Sequence, residues 1–355
     1  MNEPFNPAVL TSARNSRTRT ETDVAKATGV SQGLISKVEN GVRVPSRDDT
    51  AKIASYLGYP LALFYEPGPV DTGRSPCPYH RKRKTLPATI LNTINGRMSV
   101  RLINIRRLFH GLEMEGDRTF HTLDPDEFGS PERVAQALRT AWRVPYGPIR
   151  QLVTLIESAG GIITSSSFGT AKLFGMSQWT TTDHPLFFLN ADTAMEELRW
   201  TIAHELGHLT MHGFPTSDDL EAEADAFAGE FLAPRSLIFP DLKQLTFGRL
   251  PALKMHWGIS MKAVIKRAEV IGAIDRAAAT RLYKQYSARR WNNAEPYSLP
   301  HESSSLIREA ARVHFEDHGY SLIELANAVR LSEAELRREL LETHAAPLPL
   351  SIVRG

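Results

Sequence analysis

Two histidines four residues apart, with a glutamate directly after the first, constrain the fold of this chain more than any other feature. The segment is His204-Glu205-Leu206-Gly207-His208, and the apolar spacing before it is typical of a buried helix. Side chains four apart share one helix face, about 5 to 6 Å apart at Cβ, so both imidazoles can reach one zinc ion. Glu205 would lie beside the metal, where it can take a proton from a bound water. The spacing predicts a hydrolytic zinc site on a helix.

A third protein ligand is required, and two candidates follow in the sequence. His212 continues the four-residue spacing, but three side chains spread over about 12 Å of one helix cannot all reach one ion. The second candidate is an acidic stretch without Lys or Arg, which like-charge repulsion disfavours unless a cation lies nearby. Its acidic members are Asp218, Asp219, Glu221, Glu223, Asp225 and Glu230. We therefore expect the third ligand to come from this stretch.

Glu221 and Asp225 lie one helical turn apart, and they resemble the Glu-x-x-x-Asp arrangement of gluzincin peptidases. The resemblance implies that Glu221 binds the zinc and that Asp225 orients a ligating histidine. Glu223 points about 200° away from Glu221 on a helix with 3.6 residues per turn, and it is the alternative ligand if the helix is rotated.

The chain's single cysteine, Cys77, cannot build a cysteine-rich zinc site. The metal must then be held by histidine and carboxylate.

Residues 21 to 40 carry a second pattern, in which small and apolar residues occupy fixed positions of a twenty-residue unit. Ala25 lets two helices cross closely, and Gly29 suits the left-handed turn between them. Ile35 and Val38 supply apolar side chains for the inner face. The pattern resembles the helix-turn-helix of the Xre (Cro-type) repressors, and the likeness covers about 60 residues.

This second resemblance implies that the chain reads a double-stranded DNA operator. Thr20 and Ser31 are expected to cap the two helices of the motif. Glu21 stands where the family commonly has Gln, and its charge opposes a phosphate contact. Residues 1–66 contain eight basic and seven acidic residues, and from this near-neutral charge we expect dimerisation or a basic linker to contribute to DNA affinity. The outward-facing residues expected to contact bases or phosphates are Gln32, Gly33, Ser36, Lys37 and Asn40.

A wider likeness covers the middle of the chain. The chain resembles the ImmA/IrrE family of metallopeptidases in segments that occur in the same order, and together with the Xre unit the likeness spans residues 8 to 290. The segments are Glu132 to Trp142, Gly175 to Trp179, His184 to Asn190, Thr201 to Leu209, Glu221 to Ala228 and Phe231 to Pro234. The resemblance implies a regulator in stress or mobile-element control, in which a zinc endopeptidase cleaves a helix-turn-helix repressor. Cleavage within the chain and cleavage of another protein both stay open.

A different class of protein is the alternative. A transcription factor or antitoxin could carry the same metal site for sensing or for structure. Glu205 discriminates between the two hypotheses, because a structural site has no use for a base.

The length of 355 residues fits two or three domains. We predict a mostly α, multidomain fold with an all-α helix-turn-helix domain, an α+β gluzincin-like domain and a helical C-terminal region. The predicted parts are a DNA-binding domain (1–67), a basic linker with a connector helix (68–127), a zinc metallopeptidase domain (128–240) and a C-terminal region (241–355). The connector helix is expected from Pro87 to Glu115, and a small sheet from runs near 162–164, 172–179 and 185–190.

The distribution of charge along the chain indicates which partners the protein could bind. The 42 basic and 40 acidic residues nearly cancel, which by itself predicts no affinity for nucleic acid or membrane. Between Arg74 and Arg107, however, nine basic residues and no acidic one occur, which favours contact with polyphosphate.

No apolar run is long enough to span a membrane, and the N-terminus lacks the apolar region of a signal peptide. We expect a soluble cytoplasmic protein with no membrane partner.

Overall fold

The computed structural model describes residues 4–67, 86–114, 118–180, 184–212, 219–292, 294–341 and 352–354. The predicted basic linker falls largely on residues 68–85, which lie outside the described residues, and so does Cys77. The described chain is mostly helical and contains one small three-stranded sheet, as the fold class predicted. None of its described helices is long and apolar enough to cross a membrane.

The N-terminal domain contains four helices followed by a short 3₁₀ helix. The elements are α1 (Pro7–Ser16), α2 (Glu21–Thr28), α3 (Gln32–Glu39), α4 (Arg47–Leu57) and the 3₁₀ helix (Leu61–Tyr65). The Thr20 side chain accepts from the backbone N–H of Asp23 and caps α2, while Ser31 caps α3, as predicted. Gly29 ends α2 with φ +73°, the left-handed conformation that the turn between α2 and α3 requires.

A long helix, α5 (Ala88–Leu108), connects the N-terminal domain to the rest of the chain. It crosses α1 closely at Gly96, where a Cβ atom would lie 2.6 Å from the carbonyl oxygen of Ser12. The prediction that this helix reaches Glu115 was wrong. It ends at Leu108, and after Gly111 (φ +78°) the chain forms strand β1 (Leu112–Met114), which pairs with β5 (Ile352–Arg354) near the C-terminus.

Helix α5 contributes to two hydrophobic cores. Val100 and Ile103 are buried with the apolar residues of the N-terminal domain. Ile94, Met98 and Ile105 belong instead to a core shared with the C-terminal helices and one face of the sheet. The predicted connector is therefore a buried structural element of both neighbouring parts.

The sheet consists of β2 (Ile162–Ser166), β3 (Gly175–Trp179) and β4 (Pro185–Asn190), in the order β2-β4-β3. Strand β2 runs parallel to β4, and β3 runs antiparallel to it, with Ser177 opposite Phe187. All six residues of β4 are buried, as expected of a central strand. Strand β3 lies at the edge of the sheet.

Short helices surround this sheet, and two longer ones carry the predicted metal ligands. The elements are α6 (Pro125–Phe128), α7 (Pro131–Ala141), α8 (Leu152–Ser158), α9 (Met195–Met211), α10 (Leu220–Leu232) and α11 (Arg235–Leu242). Ser130 caps α7, and Pro131 occupies its first position, where a missing N–H costs nothing. The long helices α9 and α10 pack against each other beside the sheet.

The core around α9 continues beyond the boundary that the sequence predicted at residue 240. Ile202 of α9 belongs to the same buried cluster as Val264 and Leu282. The elements that follow α11 are a 3₁₀ helix (Phe247–Arg249), α12 (Leu250–Trp257), α13 (Met261–Val270) and α14 (Arg276–Ala288). By packing, these helices extend the sheet-containing unit.

The last helices are α15 (Leu306–Glu316), α16 (Leu322–Ala328) and α17 (Glu333–Leu336), the last of which continues as a π-helical turn (Arg337–Leu341). They pack with α5 and with β2 and β4, through Leu306, Leu325 and Leu336 among others. Two ion pairs tie this region to the N-terminal domain: Arg17 contacts Glu335, and Arg330 contacts the buried Glu66. The N-terminal domain is therefore docked on the C-terminal helices.

Candidate functional site

The predicted metal ligands of α9 lie in the interior of the protein. Helix α9 packs against β3 and β4 on one side and against α7 and α10 on another, and every residue from Thr201 to Met211 is buried. Glu205 is completely buried, and 8% of His204 is exposed. Gly207 allows α10 to lie this close, because a Cβ atom there would be 3.0 Å from the ring of Phe227.

Three possible metal ligands converge where α9 faces α10. The Nε2 atoms of His204 and His208 are 3.0 Å apart. A carboxylate oxygen of Glu221 lies 3.3 Å from Nε2 of His208, and the other lies 3.9 Å from Nε2 of His204. The potential ligand atoms of these three residues all lie within 4.8 Å of one another. Two imidazole nitrogens and one carboxylate form a donor set that suits zinc and leaves room for a water ligand.

Asp225 contacts the far side of the first histidine. Its Oδ1 is 2.9 Å from Nδ1 of His204, and Nε1 of Trp200 donates to the same oxygen at 3.4 Å. A carboxylate at Nδ1 fixes the tautomer and the ring orientation, so that Nε2 of His204 is available for a metal. This is the position that the resemblance to gluzincins implied for Asp225.

His212 and Glu223 take up a corresponding position behind the second histidine. The Nδ1 atoms of His208 and His212 are 2.8 Å apart, and Nε2 of His212 is 2.9 Å from Oε2 of Glu223. Burial and the neighbouring His208 lower the pKa of His212. Glu223, the alternative ligand, therefore contacts His212, while Glu221 lies with the converging nitrogens. Sequence spacing brought His212 into consideration, but it gave no sign of this supporting contact.

Ser177 is a site residue that sequence reasoning missed. Its hydroxyl lies on β3 and donates a 2.6 Å hydrogen bond to Oε2 of Glu205. Both residues are buried. A serine in a predicted strand carries no signal for such a role, because the contact depends on how β3 packs against α9.

A cavity of about 330 Å³ reaches the cluster. It is lined by His204, Glu221 and Asp225 from the cluster and by Lys262 and Lys266 of α13. Gly175, the first residue of β3, also lines it. A molecule entering this cavity would therefore meet both the edge strand and two of the residues that could hold a metal.

Comparison with protein families finds matches for two separate parts of the chain. Residues 157–269 match the M78 peptidase model described as the IrrE N-terminal-like domain, and residues 10–64 match a helix-turn-helix model. The chain joins a helix-turn-helix domain to an IrrE-like, M78-type metallopeptidase domain. No curated protein and no solved structure matches it.

The matched ranges fit the described packing. The M78-type domain contains the whole sheet, α9 and α10, and it extends through most of α13, past the predicted boundary at residue 240. His204, Glu205, His208 and Glu221 all lie within it. The helix-turn-helix match covers most of α1 and continues into the 3₁₀ helix that follows α4.

The residues predicted to contact DNA lie on α3 or at its end. Gln32, Lys37 and Asn40 are exposed, and Ser36 is half-buried. Two of these side chains are already engaged: Nε2 of Gln32 donates to Oε2 of Glu21 at 2.5 Å, and Nδ2 of Asn40 donates to the carbonyl oxygen of Ser36 at 2.8 Å. Lys37 therefore presents the simplest positive contact on this helix.

The loop after α3 adds a surface that the sequence analysis did not single out. Val42 and Val44 are about three-quarters exposed, at 73% and 74%, and Arg43 and Arg47 beside them are exposed as well. Exposed arginines suit contact with DNA phosphates, and exposed apolar side chains of this size are typical of surfaces that contact another protein.

Proposed function

We propose that this protein is a DNA-binding transcription regulator that also cleaves peptide bonds with a zinc-dependent endopeptidase site. The observation that carries the proposal is the convergence of His204, His208 and Glu221 next to the buried carboxylate of Glu205. Zinc would be held by the two Nε2 atoms and by Glu221, with Asp225 and His212 supporting the two imidazoles. Bound there, zinc would act as a Lewis acid toward the scissile carbonyl and a water molecule.

Glu205 performs the proton transfers in this proposal. It accepts a proton from the attacking water and then donates one to the leaving amine, which is the role of a general base followed by a general acid. Ser177 restricts the carboxylate of Glu205 by its hydrogen bond to Oε2, which orients the carboxylate for proton transfer.

Strand β3 is proposed to align the substrate. It lies at the edge of the sheet, packs against α9 and carries Ser177, so a peptide added to this edge would pass beside Glu205. An extended peptide can pair with an exposed sheet edge through main-chain hydrogen bonds. Such a substrate must present an extended segment, and we propose a helix-turn-helix repressor with an accessible loop, in stress or mobile-element regulation.

For DNA, we propose that α3 enters the major groove of an operator, with Gln32, Ser36, Lys37 and Asn40 towards the bases and phosphates. The exposed position of α3 and of the loop with Arg43 supports this arrangement. We further propose that the protein acts as a homodimer in the cytoplasm, where its DNA would be. A two-fold symmetric operator would follow from such a dimer.

The test is cleavage of a library of peptides of varied sequence by the zinc-loaded, full-length protein, with fragments identified by mass spectrometry. Glu205→Gln protein is the matched control, because it removes the base and leaves the three proposed ligands in place. Fragments that appear only with the wild-type protein would support the proposal. Equal fragments with both proteins, or none with either, would contradict a peptidase activity.

One observation favours a second candidate function. Glu205 has no exposed surface in the described structure, and a base must reach its substrate. A regulator whose metal site is sensory or structural would keep the metal cluster without using Glu205 in catalysis. In that case, removing zinc would change DNA affinity, and Glu205→Gln would leave the zinc-loaded protein's DNA affinity unchanged.

A further inference from the structure

A second and larger cavity, of about 640 Å³, lies where the helix-turn-helix domain, α5, the sheet and the C-terminal helices meet. This volume falls in the range of small-molecule sites. Arg17 and Tyr59 line it from the N-terminal domain, Arg97 and Arg101 from α5, and Glu335 from α17. It is separate from the cavity at the metal cluster, and the proposed peptidase function does not use it.

The cavity wall has more positive than negative charge. Its carboxylates already have arginine partners: Glu335 pairs with Arg17, Glu339 with Arg101 and Arg338, and Glu302 with Arg199 outside the cavity. The wall therefore has four arginines and three carboxylates, and one of these carboxylates, Glu302, is paired with an arginine outside the cavity.

Arg97 is the arginine of the wall that forms no ion pair with a carboxylate among the described residues. It is half-buried, and it donates to the carbonyl oxygens of Ser16, at 3.2 Å, and of Ser167. Carbonyl oxygens satisfy hydrogen bonds but do not cancel a full charge, and a charge away from bulk water attracts a counter-ion more strongly. The wall of this cavity therefore favours an anion beside Arg97.

The polar groups around Arg97 suit an oxyanion. Ser165 and Ser166, at the end of β2, line the cavity together with Arg97. Ser167 also lines it, but its hydroxyl already donates to Oδ2 of Asp192. Hydroxyls and guanidinium N–H groups are the donors that bind carboxylate and phosphate oxygens, and a charged acceptor strengthens those hydrogen bonds. The remaining wall is largely apolar, with Ile163, Phe188, Leu189, Met195, Leu198 and Leu340 among its residues.

We propose that this cavity binds a small organic anion, with an oxyanion head beside Arg97 and an apolar body against the sheet. The ligand would touch the helix-turn-helix domain and α17 at the same time, next to the ion pair of Arg17 and Glu335. Any difference in ligand affinity between the docked and released arrangements of that domain shifts their populations. The cavity is thus an effector site for the DNA-binding half of the protein.

The test uses 4-phenylbutanoate and phenyl phosphate as probes and neutral 4-phenylbutan-1-ol as the uncharged comparison, in calorimetric titrations of the full-length protein. Saturable binding of at least one anionic probe, and none of the alcohol, is expected. Carboxylate and phosphate heads are distinguished by which probe binds more tightly. Absence of saturable binding of both anions at millimolar concentrations would overturn the proposal.

Three variants test whether the probe binds in this cavity. Arg97→Gln should lower probe affinity about tenfold or more, because a hydrogen bond to a charged group is lost. Ser166→Ala, which removes only the hydroxyl, should lower it by a smaller factor and keeps the test open if Arg97→Gln fails to fold. Lys284→Gln changes an exposed cation on α14, outside the cavity, and should leave probe affinity unchanged. Equal losses in all three variants would show nonspecific anion binding and overturn the assignment.

Hydrogen exchange tests whether ligand binding in the cavity affects the helix-turn-helix domain and α17. Probe binding should change amide exchange in α1, which directly precedes Arg17, and in α17, which contains Glu335. A saturable probe that leaves exchange in both helices unchanged would overturn the effector role.

Discussion

The hydroxyl of Ser177 donates a 2.6 Å hydrogen bond to Oε2 of Glu205, across 28 residues of sequence and in a fully enclosed setting. A hydrogen bond of this kind fixes the rotamer of the carboxylate and makes the Glu205 position depend on β3. The first prediction follows from it. Ser177→Ala should lower kcat for peptide cleavage about tenfold and leave KM unchanged, because the carboxylate loses its orientation while the substrate-binding edge remains.

Ser177→Thr keeps the hydroxyl and serves as the matched control for this variant. It should retain more activity than Ser177→Ala, provided that both proteins bind the same amount of zinc. Steady-state kinetics on one cleaved peptide would settle the point. A rise in KM with unchanged kcat would show instead that Ser177 acts on substrate binding.

Metal content is the second prediction. His204→Ala and His208→Ala should each lose most of the bound zinc, since each removes one of three proposed ligands. Glu205→Gln should retain it. His256→Ala, which removes an exposed histidine of α12, is the control and should bind as much zinc as the wild type. Elemental analysis of the purified proteins gives the stoichiometry, and retention of zinc by both ligand variants would refute the site.

The two glutamates of α10 provide a matched pair for the third prediction. Glu221→Gln should abolish stoichiometric zinc binding, because it removes a ligand. Glu223→Gln replaces the carboxylate that contacts His212 by a neutral amide, so zinc affinity should fall about 10-fold to 100-fold, as expected for a group that orients a ligand. Competition titrations with a zinc chelator measure both. A greater loss in Glu223→Gln than in Glu221→Gln would reverse the assignment of the third ligand.

The fourth prediction concerns the helix-turn-helix domain. Lys37→Gln should weaken binding to DNA of any sequence, and it should reduce the slope of log affinity against log salt by about one unit. Glu21→Gln should strengthen binding, since it removes a negative charge and frees Gln32 from the contact that Glu21 accepts. Titrations of labelled DNA at several salt concentrations test both variants. If neither change alters the salt slope, α3 is not the DNA-contacting helix.

Two glycines provide the fifth prediction, which concerns stability. Gly96→Ala should lower the free energy of unfolding by about 1–3 kcal/mol, because the new Cβ atom meets backbone atoms of α1 at 2.6 and 2.7 Å. Gly33 lies in α3 with nothing within 4 Å of its Cβ position, so Gly33→Ala should raise that free energy by about 0.5–1 kcal/mol. Urea unfolding curves compare the two. Equal effects would show that the crossing of α1 and α5 tolerates a methyl group.

Local patterns allowed much of this structure to be predicted. Thr20 and Ser31 cap their helices because capping depends on residues two or three positions away, and the spacing of His204 and His208 fixes their common helix face. The family comparisons confirmed both resemblances.

Contacts between distant segments could not be predicted in this way. The bond from Ser177 to Glu205 depends on the docking of β3 against α9, and the pairing of Arg101 with Glu339 joins residues 238 positions apart. The end of α5 at Leu108 was missed for a similar reason. The strand that follows it pairs with residues 352–354, which lie more than 200 positions away in the sequence.

The shared helix α5 bears on how such a protein can evolve. Val100 and Ile103 complete the core of the helix-turn-helix domain, although they follow it by more than thirty residues of sequence. A gene rearrangement that transferred only the first 67 codons would therefore leave part of that core behind. The helix-turn-helix domain of this chain cannot be exchanged at residue 67 without loss of two core residues. A lineage that acquires the domain must therefore inherit α5 as well.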